Sequence, residues 1–245
     1  MSTLSGKLAL ITGGASGFGA GIASRFVADG ARVIIADIDF PAAEHQAAQL
    51  GEGARCLEMD VGSDTSVEAA ARQLQEPLDI LVNNGGIGHR PDSLTSLSEA
   101  EFDRLVAVNM KSVYLTARHF VPRLARTGAV ILNIASTAGV SPRPGLTWYN
   151  ASKGWMITAT RSMAVELADQ GIRVNAINPV AGETPLLSTF LGEDTPQRRS
   201  EFLATIPLGR FSTPQDIGAA ASFLCSDDAA MITGVALEVD GGRCV

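Results

Sequence analysis

The chain is short of cysteine, histidine and aromatic residues, and it carries no block of positive charge. Its three cysteines, Cys56, Cys225 and Cys244, are odd in number, far apart and outside any CxxC pair. That spacing excludes a disulfide framework and suits small buried thiols in a reducing compartment. The three histidines, His45, His89 and His119, form no HExxH or HxH pattern, so no histidine-based metal site is expected. Nineteen Lys and Arg against 26 Asp and Glu give a net charge of −7. With no basic cluster, nucleic acid and anionic membrane surfaces are poor partners. No apolar run approaches about 18 residues, so no membrane-spanning helix is expected. The opening MSTLSGKLALITGG lacks a basic stretch followed by an apolar core, so no secretory leader is expected and the cytoplasm is the expected location. No GxSxG pentapeptide occurs, which removes the serine hydrolases built on that turn.

What is present is ample apolar material, 46% of 245 residues, with 25 glycines. Strand-like runs alternate with helical stretches. Strands are expected at 8–12 (LALIT), 33–37 (VIIAD), 55–59, 80–83 (ILVN), 129–135 (AVILNIA), 173–178 (RVNAIN) and 235–239 (VALEV). Helices are expected at 17–29, stopped by Gly30, at 42–50 after Pro41, and at 66–75. One long helical region is expected over 99–126, with Pro122 near its end, and another over 149–170, closed by Gly171. An irregular polar segment should fill 180–197, and Ser212-Thr213-Pro214 should cap a later helix. This alternation implies an α/β fold, a doubly wound parallel sheet with helices on both faces. No linker or short repeat divides the chain, so 1–245 is expected to be a single domain. Ligands of such a sheet bind beyond the carboxyl ends of the strands.

The first strand ends in Thr12-Gly13-Gly14-Ala15-Ser16-Gly17-Phe18-Gly19. Gly13 can make the sharp turn. Gly17 and Gly19 let backbone approach a phosphate and let the helix pack close to the strand. The spacing is GxxxGxG, and mere turn-making is the plain alternative. The second strand ends in Asp37, 18 residues after Gly19, with Ile38 beside it and no adjacent Arg or Lys. A carboxylate there accepts from ribose hydroxyls and repels a 2′-phosphate, which favours NAD(H) over NADP(H). Asp60-Val61 can meet the adenine edge, and Asn83-Asn84-Gly85-Gly86 offers a small-residue surface for a cofactor.

Ser136 ends the fifth strand, and Tyr149 opens a helix 13 residues later, with Lys153 at i+4. Tyr149 and Lys153 thus share one helix face. A free tyrosine, with a pKa of about 10, is a poor base at neutral pH. A cation about 4 Å away contributes on the order of 4 kcal/mol at an effective dielectric near 20, or about three pKa units. Tyr149 can then serve as general base towards an alcohol or acid towards a ketone. Ser136 can hold the substrate oxygen, and Asn109 can anchor a water that relays protons from Lys153.

Taken together these motifs resemble the short-chain dehydrogenase/reductase family over essentially the whole chain. The resemblance rests on TGGASGFG at 12–19, DV at 60–61, NNGG at 83–86, Asn109, Ser136, YNASK at 149–153, NP at 178–179 and VDGG at 239–242. It implies a Rossmann-type domain of about seven strands and an Asn109–Ser136–Tyr149–Lys153 tetrad, with Lys153 also holding the nicotinamide ribose. It places Gly13, Ser16, Gly17, Phe18, Gly19, Asp37, Ile38, Asp60, Val61, Asn83, Gly85, Tyr149, Lys153, Pro179 and Thr184 at the dinucleotide. A homotetramer is implied as well. Two departures stand out: Gly85 replaces the family's usual alanine, and Val180 follows Pro179 where glycine is usual. The sequon Asn150-Ala151-Ser152 lies inside the catalytic motif and is discounted.

The segment of about 180–210 is the expected substrate loop. His89, Thr137, Ala138, Val140, Arg143, Trp148, Gly182, Leu186, Leu187 and Phe190 are the candidate pocket residues. Arg143 is either a substrate-anion ligand or a solvated loop residue between two prolines. The segments GLTWY, GETPLL, GEDTP and IPLGRF look like those of the subgroup that oxidises a sulfonated benzyl alcohol. The expected substrate is therefore a small secondary or benzylic alcohol or the matching carbonyl compound. Two alternatives are 3-oxoacyl thioester reduction and a non-catalytic dinucleotide sensor.

Overall fold

The computed structural model describes residues 3–125 and 127–245. Seven strands run in parallel: β1 Leu8–Thr12, β2 Arg32–Asp37, β3 Ala54–Glu58, β4 Ile80–Asn83, β5 Val130–Ile134, β6 Arg173–Pro179 and β7 Ala236–Val239. Their spatial order is β3-β2-β1-β4-β5-β6-β7, so the direction of winding reverses between β1 and β4. That switch point leaves a crevice above the strand ends.

The period of two along each strand divides the core into two layers. On one face Ala9, Ile11, Val33, Ile35, Val82 and Leu132 meet Ile22 and Phe26 of α1 (Gly17–Ala28), Ala43 and Ala47 of α2 (Phe40–Leu50), and Ile217, Ala221 and Leu224 of α9 (Pro214–Cys225). On the other face Leu10, Ile34, Leu81 and Ile131 meet Val67 and Ala70 of α3 (Asp64–Arg72), Leu115 and Phe120 of α5 (Ser112–Phe120), and Ala164 and Leu167 of α6 (Thr147–Leu167). Fully buried, β-branched strands of this kind need both faces covered.

Helix ends follow local chemistry. Ser63, Ser98 and Thr213 cap α3, α4 (Glu99–Val106) and α9 through their side-chain oxygens, and Ser98 and Thr213 form reciprocal boxes with Glu101 and Asp216. The Ser63 cap starts α3 two residues earlier than periodicity predicts. Gly171, left-handed at φ 70°, ends the short 3₁₀ turn after α6.

Two expectations are corrected. The long region predicted over 99–126 is α4, a π-turn at Ala107–Lys111, α5 and a 3₁₀ turn at Val121–Arg123 that holds Pro122. Its predicted end, Arg126, lies outside the described residues. The segment predicted to be irregular over 180–197 contains α7 (Leu187–Leu191) and the start of α8 (Pro196–Leu203). These helices close a small apolar cluster of their own, Val180, Leu187, Leu191, Phe202, Ile206 and Phe211.

A buried polar chain crosses the sheet. Thr116 Oγ1 on α5 donates to Asn83 Oδ1 on β4 at 2.8 Å, and Asn83 Nδ2 donates to Asn133 Oδ1 on β5 at 2.8 Å. Asn133 Nδ2 donates to Thr160 Oγ1 on α6 at 2.9 Å, and Thr160 donates to the Met156 carbonyl at 2.8 Å. Removing the central link leaves buried partners unsatisfied on both sides. Asn133→Ala should therefore lower the unfolding free energy by about 2–4 kcal/mol, read from urea denaturation with an unchanged slope.

Candidate active site

The switch-point crevice is built first by backbone. Asn84 Nδ2 donates to the carbonyls of Thr12 and Gly13, each at 2.9 Å. Thr12 Oγ1 accepts from the amides of Asn84 and Gly85 at 3.0 and 2.9 Å. The ends of β1 and β4 are thereby tied together. Gly13 turns with φ 60°, and a Cβ there would lie 2.9 Å from Gly85 Cα. A Cβ on Gly19 would run into the Gly13 carbonyl oxygen. Gly19 is thus needed for close helix–strand packing; it does not face the cavity, whereas Gly13, Ser16, Gly17 and Phe18 do. A Cβ on Gly85 would meet Thr12 Oγ1 at 3.3 Å, so glycine here relieves a tight contact. Val180, the second departure from the family pattern, sends its side chain into the α7–α8 cluster.

The cavity measures about 550 Å³ and runs along these strand ends. At one end lie Asp37, Ile38, Asp60 and Val61. Asp37 accepts from the Ala15 and Asp39 amides, both at 3.1 Å, through different oxygens, which fixes its carboxylate at the rim. Asp60 Oδ1 accepts from the Gly62 amide at 2.9 Å. The N-terminus of α1 opens between the two ends, and the Ser16 side chain makes no cap bond to it. Free amides and a helix dipole at that place suit a pyrophosphate. The glycine turn, the fixed Asp37 carboxylate and the uncapped helix start fit a dinucleotide.

Asn83 does not reach the cavity; its side chain belongs to the buried polar chain. Asn84 takes its place as a lining residue. The signal was the doubled asparagine, and strand alternation decides which of the pair turns outward. Gly86, from the same small-residue run, lines the cavity too, as do Ile87, Arg104, Ala107 and Val108, which no sequence motif marks.

At the other end stand Ser136, Thr137, Ala138, Tyr149, Lys153, Pro179, Gly182, Thr184, Leu186 and Phe190. Lys153 is 4% exposed, and its Nζ donates to the Ile134 carbonyl at 2.9 Å. Burial pulls its pKa down to about 8. Tyr149 is 7% exposed, with Lys153 Nζ at 5.9 Å from its ring centre. Burial pushes its pKa up to about 12, against smaller downward pulls from the Ser136 hydroxyl and the Arg143 charge. Contrary to expectation, Lys153 is not among the groups that pull Tyr149 down; the downward pulls come from Ser136 and Arg143, and desolvation outweighs them. Ser136 Oγ is oriented by the Ala138 amide at 3.1 Å.

Asn109 sits in the π-turn, fully buried. Its Oδ1 accepts from the Ile87 amide, and its Nδ2 donates to the Ile87 carbonyl, each at 2.9 Å. The same amide reaches Ser152 Oγ on α6 at 3.2 Å. Its side chain thus braces the loop after β4 against α6.

Four candidate pocket residues lie elsewhere. Trp148 packs edge-on against Phe102 at 5.5 Å and donates from its indole to the Leu94 carbonyl at 3.0 Å. Val140 is 46% exposed, and Leu187 lies inside the α7–α8 cluster. His89 is bonded through Nδ1 to the Arg90 carbonyl at 2.9 Å and does not line the cavity. Instead Phe190 forms the apolar wall, its ring 4.9 Å from that of Tyr149. Arg143 is half-buried in the wall rather than solvated, and burial pulls its pKa down to about 10.

Comparison with known proteins bears on this arrangement. A family model described as enoyl-(acyl carrier protein) reductase matches residues 13–243. The 4-formylbenzenesulfonate dehydrogenase TsaC1/TsaC2 of Comamonas testosteroni is 49% identical, with 98% of each chain covered. The chain belongs to the short-chain dehydrogenase/reductase family. It is an oxidoreductase of that family. A second member, 2-(S)-hydroxypropyl-CoM dehydrogenase 3 of Xanthobacter autotrophicus, is 38% identical over 98% of this chain and 97% of its own. The crystal structure of a 3-ketoacyl-(acyl-carrier-protein) reductase from Brucella melitensis complexed with NADH superposes with a TM-score of 0.91. It is 48% identical and covers 99% of this chain and 100% of its own. The seven-stranded Rossmann-type fold is shared with such family structures.

Tyr149 offers a direct test of how burial sets this site. In the cofactor-free protein, phenolate absorbance should be followed from pH 8 to 12.5 as the difference between wild type and Tyr149→Phe, over roughly that range about the free value. The difference should rise near pH 12, where the folded-state value stands, and not near 10.0.

Proposed function

We propose that the protein is an NAD(H)-dependent alcohol dehydrogenase or carbonyl reductase for small secondary or benzylic alcohols and their carbonyl counterparts. The observation that carries this reading is the meeting of Ser136, Tyr149 and Lys153 in the cavity whose other end is Asp37. A nicotinamide dinucleotide, when bound, supplies the hydride acceptor or donor. The remaining work falls to the chain. Ser136 Oγ holds the substrate oxygen. Tyr149 Oη takes the hydroxyl proton in oxidation and returns it in reduction. Lys153 places a proton-bearing group beneath Tyr149, in a dry setting where its charge acts strongly. Asn109 keeps the loop after β4 and helix α6 in register. Phe190 closes the apolar side and excludes water. The segment 180–210 acts as the substrate lid.

The choice of NAD(H) is supported by the fixed Asp37 carboxylate, which accepts hydroxyls and repels a 2′-phosphate. The NADH-complexed relative points the same way. The benzylic class is supported by the name of the relative that acts on 4-formylbenzenesulfonate. A homotetramer and a cytoplasmic location, both expected from the sequence, form part of this proposal. A second reading, 3-oxoacyl thioester reduction, is favoured by the name of the Brucella melitensis structure. The net charge of −7 works against docking an acidic carrier protein.

The test is a spectrophotometric screen of benzylic, cyclic and aliphatic alcohols, with 3-oxoacyl thioesters in the reverse direction. Benzylic or secondary alcohols should turn over with NAD⁺, and Tyr149→Phe should lower kcat by about 10²- to 10⁴-fold while NADH still binds. Thioester turnover alone would select the second reading, and tighter binding of NADPH than NADH would remove the role given to Asp37. Oxidation consumes the Tyr149 proton site and reduction requires it filled. The oxidation rate should therefore climb, and the reduction rate fall, as pH rises through the alkaline range.

A further inference from the structure

The substrate end of the cavity contains one cation that the proposed chemistry leaves unused. Arg143 lies six residues before Tyr149, in the sequence Pro142-Arg143-Pro144. Its backbone is held on the catalytic helix, because Asn150 Nδ2 donates to the Arg143 carbonyl at 2.8 Å. The flanking prolines restrict the loop further. The guanidinium reaches into the cavity wall, where Nη2 donates to the Phe190 carbonyl at 3.1 Å and the group sits 4.6 Å from the centre of the Phe202 ring. Among the described residues no carboxylate lies within salt-bridge distance of it.

A second guanidinium adds to the same field. Arg243, in the C-terminal turn, lies 5.0 Å from the centre of the same Phe202 ring and donates to Thr205 Oγ1. It too has no carboxylate partner among the described residues. Two like charges against one aromatic ring raise the local positive potential. A half-buried guanidinium bonded to one carbonyl also leaves most of its five donors free of a protein partner among the described residues. Such an arrangement is stabilised by an anion of planar or tetrahedral oxygens. The mutual repulsion is already felt, since Arg243 is among the causes of the lowered Arg143 pKa.

We propose that Arg143 is the anion-binding residue of the substrate pocket, and that the preferred substrates carry a sulfonate or carboxylate at the end remote from the reacting carbon. Arg143 contacts the anion through its free donors. Arg243 is a positioning residue that holds Phe202 and raises the potential. This rests on the reading of Tyr149 as the reacting end. The competing account is that Arg143 only braces α7 and α8 over the cavity. A brace serves every substrate equally, whereas an anion ligand discriminates.

The experiment is a binding comparison that needs no turnover. The protein saturated with NADH is titrated calorimetrically with 4-(hydroxymethyl)benzenesulfonate and with benzyl alcohol, which reduced cofactor leaves unreacted. Wild type should prefer the sulfonate by about 10- to 100-fold, in line with a charge-assisted bidentate contact, and raised salt should shrink that preference. Arg143→Met should collapse the ratio towards one, Arg143→Lys should restore part of it, and Arg243→Gln should reduce it by a smaller factor. With NAD⁺, the same ratio should appear in KM rather than in kcat. Equal or absent binding of the two alcohols to wild type would overturn the proposal. So would an Arg143→Met variant that weakens both by one common factor. Should Arg143→Met fail to fold, the wild-type ratio and Arg143→Lys decide the matter. A sulfonate preference without any turnover would leave the anion site standing and remove the oxidoreductase chemistry proposed for Tyr149.

Discussion

The arrangement of the site depends on the asparagine pair that joins β4 to β5. Asn83 and Asn133 face each other inside the sheet; Asn83 accepts from Thr116 on α5, and Asn133 donates to Thr160 on α6. Those two helices position the side chains of the proposed chemistry: α5 continues from the π-turn that holds Asn109, and the first turns of α6 hold Tyr149 and Lys153. A purely apolar interface would leave α5 and α6 free to settle in several rotational positions of similar energy. Three directional bonds in a dry setting admit one. Asn109 repeats the device at the cavity edge, where its single amide fastens Ile87 and Ser152 together.

Desolvation is the second constraint, and it acts on every ionisable group near the reacting end. It lowers Lys153 and Arg143 and raises Tyr149, so all three are driven towards neutrality. Arg143, at about 10, still carries its charge at neutral pH, so the cavity keeps a fixed positive centre at its substrate end. Charge brought in by ligands meets a low dielectric, where each interaction is stronger than it would be in water.

Much of this was legible in the sequence, for reasons that differ by residue. The strands are short, β-branched and bounded by glycine, so their order along the chain could be read; ILVN matched β4 to the residue. Gly13, Asp37, Ser136, Tyr149 and Lys153 stand at strand ends or a helix start, and the fold alone carries those places to one crevice. What depended on side-chain direction was less accessible. Trp148 and Tyr149 are neighbours on one helix turn, yet about 100° of rotation sends one outward to Phe102 and the other into the cavity. Asn83 and Asn84 divide in the same way at the end of a strand. The π-turn left no mark in periodicity, because one extra residue shifts the helical phase only locally. Arg143 allowed two readings between its prolines, and only the approach of Phe190 and Phe202 from distant sequence brings it into the wall.

The apolar cluster beneath α7 and α8 is separate from the two layers that pack the sheet. Its members come from one stretch of chain, Val180 to Phe211, so they can come apart without exposing the sheet. Small clusters set apart from a main core are where local opening is cheapest in proteins generally. The residues that pack the sheet and those that pack α7 and α8 are thus different sets, and a substitution in one set need not disturb the other.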